Sequence, residues 1–142
     1  MKLILALFAI SCITLLGKEP EGKLIVNMAG FAHDRGVVRV HLHNNPEYFP
    51  TKSRKAFMRD TTFVRGTNAK VVFESVPYGD YALSVHHDED GNRRMNTNFL
   101  GIPNEDYGVS NNVKSTFGPP DFEEAKFAIN KKITEINIEI QK

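Results

Sequence analysis

Ile133-Thr134-Glu135-Ile136-Asn137-Ile138-Glu139-Ile140 is the purest period-two stretch of this chain, and its reading decides the fold class. Successive side chains of a strand turn to opposite faces, so alternation of this kind buries one face and wets the other. A helix would spread the same isoleucines around its axis. Upstream, Gly36-Val37-Val38-Arg39-Val40-His41-Leu42-His43 repeats the pattern, with Val38, Val40 and Leu42 on one face and Arg39, His41 and His43 on the other. Asn44-Asn45-Pro46 stops it. Further strands are expected at residues 23–29, 61–64, 69–73, 81–86 and 126–129, with Tyr81, Leu83 and Val85 facing the core. Residues 47–58 read as a loop with one helical turn, and Val76-Pro77-Tyr78-Gly79-Asp80 as a turn. About seven short strands with near-regular turn signals predict an all-β fold. The expected architecture is an immunoglobulin-like (prealbumin-like) antiparallel β-sandwich with one long structured loop.

The N-terminus reads as an export signal, residues 1–17. Lys2 supplies a positive charge, Leu3 to Leu16 is an almost unbroken apolar run, and Lys18-Glu19-Pro20 ends it. That run has the length of a signal core and is short for a bilayer span. Ala9-Ile10-Ser11-Cys12 loosely resembles a lipobox, which leaves a lipid anchor through Cys12 as an alternative. Residues 18–142 then form a single domain of 125 residues, enough for one core and too few for two. Without Lys2, the 18 Lys and Arg of the whole chain become 17, against 17 Asp and Glu. A neutral domain lacks the basic stripe of a nucleic-acid binder. Cys12 is the single cysteine, so the domain can use neither a disulfide nor a thiolate nucleophile. H-E-x-x-H and G-x-S-x-G are also absent, which weighs against a hydrolase.

The chemistry concentrates in the long stretch from His86 to Pro120. Asp88, Asp90, Asn92 and Asn96 offer oxygens at the close spacing that curls around calcium, a hard cation that takes six to eight oxygen ligands. The match to an EF-hand loop is partial: Arg93 stands where glycine makes the sharp turn, and Phe99 where a bidentate glutamate closes the shell. Glu89 and Glu105 are spare carboxylates. The alternative is an acidic turn, with Asp90-Gly91-Asn92 chosen for backbone geometry. His41 and His43, joined by His87, make a second candidate centre, for a transition metal. His86 is expected on the solvent side with Ala82 and Ser84. His87, in the core register, is expected to donate to a backbone carbonyl and pin the loop. A binding surface for a protein or glycan is expected at His87, Asn98, Tyr107, Asn111, Asn112 and Phe117, since amides match hydroxyls and rings stack on apolar faces. The same amides can instead satisfy the loop's own backbone.

His87-Asp88-Glu89-Asp90-Gly91-Asn92, Thr97-Asn98-Phe99-Leu100-Gly101-Ile102-Pro103, Glu105, Tyr107-Gly108-Val109-Ser110-Asn111-Asn112 and Phe117-Gly118-Pro119-Pro120 together resemble the signature of the bacterial domain-of-unknown-function 2141 family. The strand at residues 36–40, the Phe49-Pro50 pair and the turn at 76–82 fit as well. The resemblance implies a small exported protein with no assigned activity. It also implies a loop of the form Asp-x-Asn/Asp-Gly-Asn/Asp-Gly followed by an acid; here Arg93 replaces the last glycine and Asn96 the acid. The expectation is a non-enzymatic binding or accessory module of the bacterial cell envelope, calcium-stabilised at residues 88–96, with no membrane span in the mature chain. Two alternatives stand beside it: the transition-metal site at His41, His43 and His87, and a purely structural envelope protein that binds a membrane-protein partner.

Overall fold

The alternating stretches become buried stripes in a computed structural model that describes residues 17–142. In β1 (Glu21–Ala29), Leu24, Val26 and Met28 point inward; in β2 (Val37–His43), Val38, Val40 and Leu42 do the same. They are joined by β3 (Met58–Thr62), β4 (Asn68–Pro77), β5 (Gly79–Asp88), β6 (Tyr107–Val109), β7 (Phe127–Ile129) and β8 (Ile133–Glu139). One sheet has the order β4-β1-β8 and the other β3-β2-β5-β6, with β7 pairing the start of β5. Val71 and Phe73 of β4, Tyr81, Leu83 and Val85 of β5, and Ile138 of β8 complete the core between the sheets. Each such side chain contributes about 1.5–3 kcal/mol by leaving water. The result is the expected all-β sandwich, with eight strands.

Four expectations are corrected. First, β8 runs parallel to β1, from Lys23↔Ile133 to Ala29↔Glu139, so the sandwich is mixed rather than antiparallel. The chain leaves β7 in one sheet and enters the other beside β1, a crossover that alternation alone does not reveal. Second, β3 begins at Met58 and ends at Thr62, whereas residues 61–64 were expected. It is a polar edge strand held to β2 by its backbone ladder, and Phe63 lies outside it, exposed. Third, Tyr78 alone separates β4 from β5, so the expected turn at 76–80 is mostly strand. Fourth, β6 lies unforeseen inside the long loop. Its Gly108 is required, because a Cβ there would meet Ile138 Cγ2 at 2.6 Å.

β5 is buried on both faces from Tyr81 to Asp88. Phe49, Val109, Phe122 and Ala125 pack around Ala82 on the outer face of the sheet, forming a second, smaller core. Phe122 opens the short helix α1 (Phe122–Ala125), capped by the Asp121 carboxylate at 3.0 Å from the Phe122 N–H. Ala82, Ser84 and His86 are therefore buried, and the solvent-side placement of His86 is overturned. Apart from Gly17, the expected export signal, with Cys12, lies outside the described residues. Among the described residues no helix is long and apolar enough to cross a membrane.

Candidate functional site

At the end of β5, strand alternation sorts the polar cluster into two faces. His86 and Asp88 turn outward, His87 and Glu89 inward, and Glu105-Asp106 run alongside them on the way into β6. The His87 N–H donates to the Asp106 carbonyl at 2.9 Å, which locks the two segments together.

On the outer face, buried Glu105 is the keystone. Its Oε1 accepts from the Glu89 N–H at 3.0 Å, and its Oε2 accepts from the Asn96 N–H at 2.9 Å and lies 2.8 Å from His86 Nε2. Asp88 is fully buried; its Oδ2 accepts from Arg39 Nε at 2.7 Å and from the Arg93 N–H at 3.0 Å. Asp88 Oδ1, also buried, has no hydrogen-bond partner among the described residues. Beyond it, Asp90 Oδ2 accepts from the Asn92 and Asn96 amides at 2.9 and 2.8 Å, and Oδ1 from the Asn92 N–H at 3.0 Å. The Asn96 amide, followed by the Asn92 N–H, holds the Asp90 carboxyl below the usual range, and the Asp88 side chain adds a smaller contribution. The structure thus brings Asp88, Asp90, Asn92 and Asn96 close together and adds Glu105, with the Asn92 and Asn96 nitrogens turned toward Asp90 and their oxygens accepting from the Arg94 N–H and the Asn92 amide at 2.7 Å each.

The three histidines are not brought together. His41 and His43 project from the outer face of β2 with ring centroids 6.4 Å apart, and His43 is buried edge-on against Phe49. Burial above all pushes both well down, to about 4; for His41 the positive charges of His43, His86, Arg59 and Arg39 add to it. His87 points to the opposite face, between Phe31 and His33, and its Nε2 lies 2.6 Å from the Arg35 carbonyl. It makes the carbonyl contact expected of it, and it is too deeply buried to touch a macromolecular ligand.

Most of the expected amide surface faces inward. Asn111 donates to the carbonyls of Glu124 and Lys126 at 3.0 and 2.9 Å, and Asn112 accepts from the Glu139 N–H at 2.8 Å. Tyr107, half-buried, exchanges backbone hydrogen bonds with Gln141 at 2.8 and 2.7 Å. Asn98 Oδ1 accepts from the Leu100 and Ile102 N–H groups at 2.9 and 3.0 Å and so builds a tight turn. That turn presents Phe99 and Leu100 at 94% and 68% exposure, while Phe117 stands apart at 92%. Glu105, Asp106 and the Phe99-Leu100 tip are the features of the candidate site that sequence reasoning undervalued. An open groove of about 660 Å³ runs past Asn27, Phe63, Lys70 and Asn137; Asn112 is the one expected binding residue that lines it.

No curated protein and no solved structure matches this chain. A family model does: the model described as "Uncharacterized protein conserved in bacteria (DUF2141)" covers residues 26–137. That span runs from the middle of β1 into β8 and includes every residue of both polar clusters, so the chain belongs to the DUF2141 family.

Proposed function

We propose that this protein is an exported, non-enzymatic binding or accessory module of the bacterial cell envelope whose loop at residues 88–96 is organised by calcium. The observation that carries the reading is Asp88 Oδ1, a buried carboxylate oxygen with no donor among the described residues. A buried acceptor left unpaired costs about 1–3 kcal/mol, and a cation beside it removes that cost. The surroundings suit a hard divalent ion: Asp88, Asp90 and Glu105 gather here, with Asp88 paired to the Arg39 guanidinium. For Asn92 and Asn96 to become ligands their amides must turn by half, which for Asn92 gives up the bond its Oδ1 accepts from the Arg94 N–H at 2.7 Å. Fixing this loop also fixes the Asn98 turn, whose exposed Phe99 and Leu100 supply the apolar contact for a protein partner in the envelope.

The test is thermal unfolding of the protein in chelator and then across a calcium titration. A ligand confined to the folded state stabilises it by about 2.7 kcal/mol at a hundredfold excess over its dissociation constant. The expected result is a saturable rise in midpoint that is lost in Asp90→Asn, an exposed position where the fold is not at risk. A midpoint that stays constant up to millimolar calcium overturns the reading.

A further inference from the structure

From the inner-face cluster we infer a second and separate site: a centre for a zinc-class divalent transition metal, held by His87 Nδ1, Glu89 and Asp106. It shares no ligand with the calcium reading. One ligand atom from each of the three residues lies within 4.8 Å of the others.

The argument starts from the hydrogen on His87. Its Nε2 sits 2.6 Å from the Arg35 carbonyl, which can only accept, so Nε2 carries the hydrogen. In the neutral ring Nδ1 is then a bare lone pair. It is fully buried, has no hydrogen-bond partner among the described residues, and faces Asp106 Oδ2 at 3.9 Å. Two acceptors thus confront one another in a dry place, at a separation too long for a hydrogen bond between them. A metal ion between them resolves the confrontation, since imidazole nitrogen and carboxylate oxygen each sit about 2.0–2.2 Å from zinc.

The supports of the three ligands are also in place. Metal-ligating side chains are aimed by outer hydrogen bonds, and one short segment between β1 and β2 provides all of them. The Ala32 N–H donates to Asp106 Oδ2 at 3.1 Å, His33 Nε2 lies 2.9 Å from Glu89 Oε2, and the Arg35 carbonyl receives His87. The His33 ring itself accepts from the Arg35 N–H through Nδ1 at 3.3 Å, so its own hydrogen is on Nε2 and points at Glu89. Phe31 closes the floor edge-on against His87 at 5.1 Å. His33 and Glu89 are both partly exposed and give the ion a way in. Three protein ligands and one solvent-facing position make a four-coordinate site with an open corner.

The experiment uses protein purified without a histidine tag, stripped with chelator, then titrated with zinc against a chromophoric competitor and separately with cobalt. The expected result is one zinc per chain, visible cobalt bands showing nitrogen and oxygen ligands, and at least about a tenfold loss of affinity in Glu89→Gln and in His87→Asn. Glu89→Gln, at a half-exposed position, keeps the test decisive if His87→Asn fails to fold. Asp90→Asn and His41→Asn are expected to leave zinc affinity unchanged. Folded protein that binds no zinc overturns the assignment. So does zinc binding that survives Glu89→Gln, or that is lost in Asp90→Asn or His41→Asn, because the ion then sits on the outer face. The calcium titration can fail without affecting any of these outcomes.

Discussion

Arg93 occupies the left-handed region at φ 66°, where a side chain is strained and glycine is not. The strain is tolerated because its N–H reaches Asp88 Oδ2 at 3.0 Å and closes the loop. Arg93→Gly therefore keeps that bond and removes the strain, with glycine's larger unfolded-state entropy offsetting part of the benefit. The expected outcome is a net gain of up to about 1 kcal/mol in urea unfolding. A destabilised variant would mean that the arginine side chain holds the loop. At this scale the sequence was informative where geometry dictates residue type. At Asp90-Gly91-Asn92 the backbone does call for glycine, with Gly91 at φ 75°. It misled at His86, because alternation identifies two faces of a strand and says nothing about what covers the outer one. Glu105 was visible only as a spare carboxylate; its role depends on β6 bringing it beside β5, a pairing three residues long.

Among the elements, β1, β2, β7 and β8 were legible because each keeps one face dry, and period two records that directly. β3 was not, since its pairing to β2 runs through backbone groups and its own residues, Met58 to Thr62, are mostly polar. β6 was hidden by its brevity and by Gly108. Where α1 and the turn at Ser110–Asn112 cover the outer face, the Ser110 hydroxyl is a buried joint between β5 and α1. Ser110 Oγ accepts from the Leu83 N–H at 2.9 Å and donates to the Ala125 carbonyl at 2.6 Å. Ser110→Ala strips both partners inside a dry contact, and the expected cost is about 1–3 kcal/mol in urea unfolding, with an unchanged far-ultraviolet spectrum. A loss below about 0.5 kcal/mol would show that water or a shifted α1 replaces the joint.

For the whole molecule, acid is the informative stress. His41 and His43 sit at about 4 in the fold against 6.5 when unfolded, so the unfolded chain takes up protons that the native state refuses. Stability is then fully present above pH 6.5 and falls as pH drops toward 4, by up to about 1.4 kcal/mol per pH unit for each histidine. His43→Phe, which retains a ring against Phe49, is expected to flatten this limb between pH 6.5 and 4; an unchanged slope would reject the assignment. The sandwich was readable in outline from composition and alternation. The parallel pairing of β8 with β1 was not, because it joins strands from opposite ends of the chain. The direction of β1 has a spatial consequence. Its nine residues run toward the end that bears His33, the carboxylates and the Phe99 tip, so Glu21 lies at the other end, about 30 Å away. If the chain is held on a surface by its N-terminal side, the body of the sandwich becomes a stand-off. The end that bears both carboxylate clusters then faces away from that surface, open to whatever approaches from the opposite side.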